Sequence, residues 1–141
     1  MQIAIGSDHA GFDLKQVIIP YLEFLKYEVK DMGPDSAEQS CDYPDFASKV
    51  CNEVLEGGGL GVLICGTGIG MSMAANKVKG IRAALCTSEF QGRMTRHHND
   101  ANVLCLGARV TGQGLALAIV KEFLDAEFEG GRHLARIRKF D

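Results

Sequence analysis

The chain predicts an α/β domain: one doubly wound unit on a five-stranded parallel sheet, with helices on both faces. Three observations carry this expectation. Short continuous apolar runs recur at Ile3–Ile5, Gly61–Ile64, Ile81–Leu85 and Val103–Leu106, with a weaker one around Tyr27–Asp31. Segments with helical spacing lie between them. The residues straight after several runs are polar or glycine-rich, as at Gly6-Ser7-Asp8-His9 and Cys65-Gly66-Thr67-Gly68-Ile69-Gly70. Continuous apolar strands need cover on both faces, and right-handed crossovers then make a doubly wound sheet the natural solution.

The elements follow in order. After the first run, Leu14, Val17/Ile18, Tyr21/Leu22 and Leu25 recur every three or four residues and predict a helix. Pro20 falls inside that pattern, so a bend or local loosening is expected there. Later helices fit Phe46–Leu55, Met71–Val78, Ser88–His97 and Gly114–Phe123, and Gly57-Gly58-Gly59 reads as a turn between helix and strand. The segment from about 130 to 141 carries Arg132, Arg136, Arg138 and Lys139. No repeat, linker or low-complexity tract divides residues 1–141, so a single domain is expected.

Bulk properties narrow the function. A chain of 141 residues buries roughly 68–70% of its unfolded surface, enough for a core without metal or disulfide support. A net charge of −3 offers no surplus of cations for nucleic acid. No apolar run approaches the roughly 20 residues of a membrane span, and Met1–Gly6 lacks the layout of a signal peptide. The five cysteines form no close pair such as C-x-x-C, and most sit in apolar segments, a pattern of reduced thiols in a cytosol.

In a doubly wound sheet, ligands bind outside the carboxyl ends of the strands at a switch point. That rule selects Gly6–His9, Cys65–Gly70, Cys86-Thr87 and Gly107-Ala108-Arg109. The Cys65 turn is the most informative. Its glycines let backbone approach a ligand, and a helix start favours negative charge. It also reads as a plain tight connection. A dinucleotide fingerprint would want glycine where Met71 stands and an acid where Cys86-Thr87 lies. A P-loop would need Gly-Lys-Ser/Thr, and a cysteine-phosphatase loop an arginine at position 71. A cysteine ending an apolar strand is commonly a small core residue. Beside a helix start, it can instead be a usable base or nucleophile.

The remaining candidates also read two ways. Asp8 beside His9 is an acid–imidazole pair or a helix cap. His97-His98-Asn99-Asp100 is unconvincing for metal, because adjacent histidines do not readily share an ion, but His98 suits proton transfer. Arg132 and Arg136 share a face if that segment is helical, as a solvated patch or a phosphate clamp.

Seven segments together resemble the type B ribose-5-phosphate isomerases and their galactose-6-phosphate isomerase relatives. They are Gly6-Ser7-Asp8-His9-Ala10-Gly11, Asp42-Tyr43-Pro44, Ile64–Gly70, Ala74-Ala75-Asn76-Lys77, Gly80-Ile81-Arg82-Ala83, His98-Asn99-Asp100-Ala101-Asn102 and Glu129-Gly130-Gly131-Arg132-His133. The match spans essentially the whole chain in the same order. It implies a Rossmann-like fold, no metal or other cofactor, a cytoplasmic setting, and a homodimer or tetramer with active sites shared between subunits.

The resemblance also implies roles. Cys65 would remove the C2 proton of an open-chain aldose phosphate. The Gly66, Gly68, Ile69 and Gly70 backbone, with the Thr67 hydroxyl, would stabilise an enediolate. His98 would open the furanose ring, and Asp8 and Asn99 would hold or relay hydroxyl protons. Tyr43 would line the sugar site. His9, Arg132 and Arg136 would hold the phosphate, joined by Arg109, which with His98 and Asn99 would come from the neighbouring subunit. One branch of the family uses a glutamate at position 71 in place of a cysteine at 65; here Cys65 is present and Met71 stands at 71. The expected reaction interconverts ribose 5-phosphate and ribulose 5-phosphate, with allose 6-phosphate or galactose 6-phosphate as six-carbon alternatives. A non-catalytic sugar-phosphate sensor and a nucleotide-binding regulatory domain are the readings from other classes.

Overall fold

The computed structural model describes residues 1–141. Five parallel strands form one sheet: β1 (Gln2–Ser7), β2 (Glu28–Asp31), β3 (Leu60–Cys65), β4 (Ala83–Leu85) and β5 (Val103–Gly107). Their order is β2-β1-β3-β5-β4, every pairing parallel. The chain steps outward from β1 to β2 and then crosses back to β3, so the switch point lies between β1 and β3. The six helices are α1 (Phe12–Phe24), α2 (Tyr43–Gly57), α3 (Ile69–Ala75), α4 (Glu89–Asn99), α5 (Gln113–Asp125) and α6 (Arg132–Ile137). No helix is long and apolar enough to cross a membrane.

Alternation along the central strands divides the core in two. Ile3, Ile5, Val62, Ile64, Leu104 and Leu106 face the side covered by α1 and α5, through Leu14, Ile18, Leu22, Ile119 and Phe123. Ala4, Leu63, Cys65, Val103 and Cys105 face the opposite side, against Ala47, Val50 and Val54 of α2 and Met71 and Ala75 of α3. Both faces of the three central strands, β1, β3 and β5, are dry. This is why the strands read as unbroken apolar runs rather than as alternating ones.

Among the boundaries that differ from the sequence expectation, three have a visible cause. Helix α2 begins at Tyr43 rather than Phe46, because extended Asp42 precedes a first turn that takes Pro44 without losing a needed N–H. Helix α3 stops at Ala75 rather than Val78. There the Asn76 side chain leaves the helix to bridge Ala83, accepting from its N–H at 2.8 Å and donating to its carbonyl at 2.9 Å. The same bridge opens β4, two residues later than the expected Ile81. Helix α1 continues through Pro20.

One buried polar group was not expected from the sequence. Lys15 has a fully buried side chain whose ammonium donates to Asp31 Oδ1 and to the Pro34 carbonyl, both at 2.7 Å. Asp31 Oδ1 also accepts the Gly33 N–H at 2.9 Å, so one lysine pins α1 to the chain leaving β2. Replacing Lys15 by Met keeps the alkyl stem but strips the cation from these acceptors. Breaking a buried pair costs about 3–5 kcal/mol. The Asp31 side chain is 40% exposed and rehydrates, so we expect about 2 kcal/mol here. Thermal denaturation should then show the melting temperature lowered by about 6 °C; an unchanged value would remove Lys15 from the account of stability.

Candidate active site

The carboxyl ends of β1, β3 and β5 meet at the switch point. Ser7 pairs with Ile64, and the Asp8 N–H donates to the Ile64 carbonyl at 3.2 Å, which sets Asp8 beside Cys65. Cys65 in turn pairs with Gly107, and the Ala108 and Arg109 N–H groups donate to the Cys65 and Gly66 carbonyls, each at 2.9 Å. Three strand ends are thereby laced together around one thiol.

The Cys65 side chain is 5% exposed and sits in the same apolar cluster as fully buried Met71. Its Sγ accepts the Gly68 N–H at 3.1 Å. Gly68 makes that bond possible: its φ of +79° is left-handed, and an added β-carbon would fall 2.5 Å from Leu85 and 2.9 Å from the Leu106 backbone. Thr67 is exposed, and its hydroxyl oxygen accepts the Ile69 N–H at 3.3 Å, leaving the hydroxyl proton free to donate outward. Two of the turn's N–H groups therefore have partners inside the turn. An incoming oxyanion would share or displace them.

Neighbouring elements complete this edge. Tyr43, the first residue of α2, lies over Gly70: a β-carbon there would be 2.6 Å from the ring and 2.9 Å from the phenol oxygen. The Arg109 guanidinium lies across Gly66 of its own chain, with Nη1 3.2 Å from where a β-carbon would stand. The half-buried His9 ring accepts the Cys41 N–H at Nδ1, 3.2 Å away. That contact puts the proton of a neutral ring on Nε2, where it can donate to a ligand. Asp8 is 8% exposed and accepts the Gly11 N–H at 3.0 Å, so one carboxylate oxygen serves the entry to α1. Asp8 is not the cap of α1, which is Gly11 with no side-chain cap bond; its carboxylate closes the turn before the helix, and its second oxygen has no such duty.

The other candidates lie elsewhere. Helix α4 starts above β4 and ends below β5, which brings His98 and Asn99 to the amino edge of the sheet. There the Gly61 N–H donates to the Asn102 carbonyl at 2.9 Å. The six residues of β3 separate the two edges by about 17 Å. Arg132 and Arg136 share this amino edge on α6, which packs against α4. Both are exposed and neither forms an ion pair or side-chain hydrogen bond. Within one chain the candidates therefore fall on two separate edges of the sheet: Asp8, His9, Tyr43, Cys65, Thr67 and Arg109 at the carboxyl edge, and His98, Asn99, Arg132 and Arg136 at the amino edge. Arg109, which the resemblance assigns with His98 and Asn99 to the neighbouring subunit, lies on the edge that carries Cys65, where the carboxyl-end rule put it.

Several motif residues turn out to build the amino edge. The Arg82 guanidinium donates to the Asp100 carbonyl at 2.9 Å and pairs with the Asp100 and Asp141 carboxylates at 3.3 and 3.1 Å. Arg96 pairs with the same Asp100 at 3.0 Å. The Asn102 side chain accepts the Arg82 N–H and donates to the Gly80 carbonyl. These bonds hold the left-handed Asp100 turn on which His98 and Asn99 stand.

Sequence reasoning missed the partners of His98. Its ring stacks on His133 with centroids 4.3 Å apart and planes 13° from parallel. Glu129 Oε1 lies 3.8 Å from His98 Nε2 and 3.4 Å from His133 Nε2. These three residues bring potential metal-ligand atoms within 4.8 Å of one another. The stack argues against an ion, since a metal lies in the plane of each imidazole it binds and these planes are parallel and offset. Desolvation, and then the neighbouring His98 and Arg132, hold His133 below the ordinary imidazole range. The other core thiols are poor nucleophile candidates, because burial pushes Cys51 and Cys86 up to about 11 and Cys105 well above its usual value. The roomiest cleft, ≈ 700 Å³ between Lys30 and Lys49, is lined by none of the candidate residues.

The family model for ribose/galactose isomerases matches residues 3–140. The chain belongs to that family. It is similar to the ribose-5-phosphate isomerase B of Escherichia coli (strain K12), 49% identical over 138 residues that cover 96% of this chain and 91% of the relative. Among solved structures, the ribose-5-phosphate isomerase B of Clostridium thermocellum superposes with a TM-score of 0.96 at 55% identity, covering 99% of this chain and 94% of that one. The enzyme of the same name from Mycoplasma genitalium, solved with bound ribulose-5-phosphate, gives a TM-score of 0.94 at 48% identity, covering 98% and 92%. The family resemblance read from the seven motifs and the expected fold class are both shown. The chain is an isomerase of this family.

Proposed function

We propose that the protein interconverts ribose 5-phosphate and ribulose 5-phosphate, at sites each assembled from the carboxyl edge of one subunit and the amino edge of another. The observation that carries this reading is the division of one chain's candidates between two edges about 17 Å apart. One edge has a base and backbone donors, and the other has a proton handler and two unpaired arginines. Neither half contains a full set for aldose isomerisation. Together they do.

The steps follow from the groups. His98 moves the proton that lets the C1–O4 bond of the furanose open, exposing the C1 aldehyde. The Cys65 thiolate takes the proton from C2, and the electron pair moves onto the C1 oxygen as an enediolate. The Thr67 hydroxyl and the N–H groups of the Gly66–Gly70 turn meet that charge. The Cys65 thiol returns a proton to C1 while the O2 proton passes to O1 through Asp8 or Asn99, giving the ketose. His9 and Arg109 on one subunit, with Arg132 and Arg136 of the other, hold the phosphate. Binding at the phosphate positions the reacting carbons.

The five-carbon substrate is supported by the names of the relatives and by the ribulose-5-phosphate bound to one of them. The family description favours a second reading, a six-carbon substrate such as galactose 6-phosphate or allose 6-phosphate. Side-by-side measurement of kcat/KM on the three aldose phosphates decides between them. Ribose 5-phosphate should lead by at least about tenfold, a margin of roughly one hydroxymethylene's worth of pocket discrimination. A six-carbon sugar in the lead would overturn the proposal.

A further inference from the structure

His98 does not stand alone at the end of α4. The segment between α5 and α6 is strapped to this helix end at two points: the Glu129 N–H donates to the His97 carbonyl at 3.1 Å, and His97 Nδ1–H donates to the Glu127 carbonyl at 2.6 Å. The strap delivers Glu129 to the edge of both imidazoles and leads directly into α6, whose second residue is His133. The two stacked rings differ in setting. The His98 side chain is 42% exposed, whereas that of His133 is 8% exposed. The His133 side chain forms no hydrogen bond, and the proposed mechanism gives it nothing to do.

We infer that His133 is a positioning residue for His98, an aromatic platform that fixes the plane of the His98 imidazole as it enters the neighbouring subunit's sugar site. The inference rests on the proposed role of His98 in ring opening. Three physical points support it. A histidine on the last turn of a helix, nearly half exposed, has freedom at both side-chain torsions, and a stacked ring removes much of it. Two imidazoles 4.3 Å apart do not both carry charge at low cost, and the covered ring is the one disfavoured for protonation by desolvation and by its cationic neighbours Arg132 and Arg136. Glu129, 52% exposed, is then the carboxylate nearest to a proton arriving on His98. The platform also joins His98 to the helix that carries both phosphate-binding arginines, so ring opener and phosphate clamp move as one body.

Two reactions of the intact enzyme separate positioning from a general structural role. Conversion of ribose 5-phosphate requires ring opening. Loss of deuterium from C1 of ribulose 5-phosphate, to water or to C2, does not, because the phosphate on O5 keeps that ketose acyclic; it needs only Cys65 and the enediolate turn. His133→Ala should lower kcat for ribose 5-phosphate by about 10- to 100-fold. KM should change little, and the deuterium loss should stay within about twofold of the wild-type rate. His133→Phe, which keeps a flat ring, should recover kcat to within roughly threefold. Unchanged kcat in His133→Ala, no recovery in His133→Phe, or deuterium loss falling in step with conversion would each overturn the inference. Deuterium loss that survives Cys65→Ala would instead overturn the underlying reading of the reaction.

Discussion

Cys65→Ala should abolish isomerisation, with kcat down by at least about 10³-fold, while the protein folds and binds a sugar phosphate as before. The size follows from what is removed. Without a base at C2, proton abstraction falls to water or a distant group, and general-base catalysis alone is worth about 10²–10⁴-fold. The binding half of the prediction follows from geometry. Cys65 touches the Gly68 N–H and the Met71 cluster, whereas the phosphate is assigned to His9, Arg109, Arg132 and Arg136. Loss of one sulfur from a position 5% exposed leaves a small cavity, costing stability but not the cation set. Steady-state kinetics and calorimetric titration with ribulose 5-phosphate read the two halves separately. A variant that keeps more than a few per cent of wild-type turnover would sink Cys65 as the base. One that loses both turnover and binding would show that the thiol holds the turn in shape rather than taking a proton.

Much of the architecture is legible in the sequence, because the three central strands are buried on both faces. The runs Ile3–Ile5, Gly61–Ile64 and Val103–Leu106 have no polar residue to confuse the pattern, and each falls inside the observed strand. Edges of elements are less legible where a side chain ends them. Nothing local announces that Asn76 will leave α3 to bridge Ala83, seven residues on. Lys15 is likewise indistinguishable from a solvated helix lysine until Asp31 and the Pro34 carbonyl are placed around it.

The candidate site is legible by halves. Motif order alone places Asp8, Cys65 and Arg109 after β1, β3 and β5, and so on one edge. The position of His98 follows from the same topology, since a crossover helix returns to the amino edge of the sheet, yet a search confined to carboxyl ends passes over it. Glu129 and His133 are legible only in three dimensions: the contacts that bring them to His98 close a loop of more than thirty residues. The sequence motifs also mix two duties. Arg82, Asp100 and Asn102 hold the turn under His98, whereas Arg132 and Arg136 are left unpaired, as a ligand clamp requires.

The central claim is that Cys65 and His98 act on the same sugar from different subunits. Subunit complementation tests it most directly. Cys65→Ala and His98→Asn enzymes are each purified, then mixed, dissociated and reassociated. In a mixed dimer with symmetric, shared sites, one site combines the intact Cys65 of one subunit with the intact His98 of the other, and the second site carries both lesions. Random reassociation of equal amounts should therefore restore about one quarter of wild-type activity from two nearly inactive parents. A mixture no more active than its parents, although mass measurement shows that mixed oligomers have formed, would place both residues in the same chain's site and contradict the account.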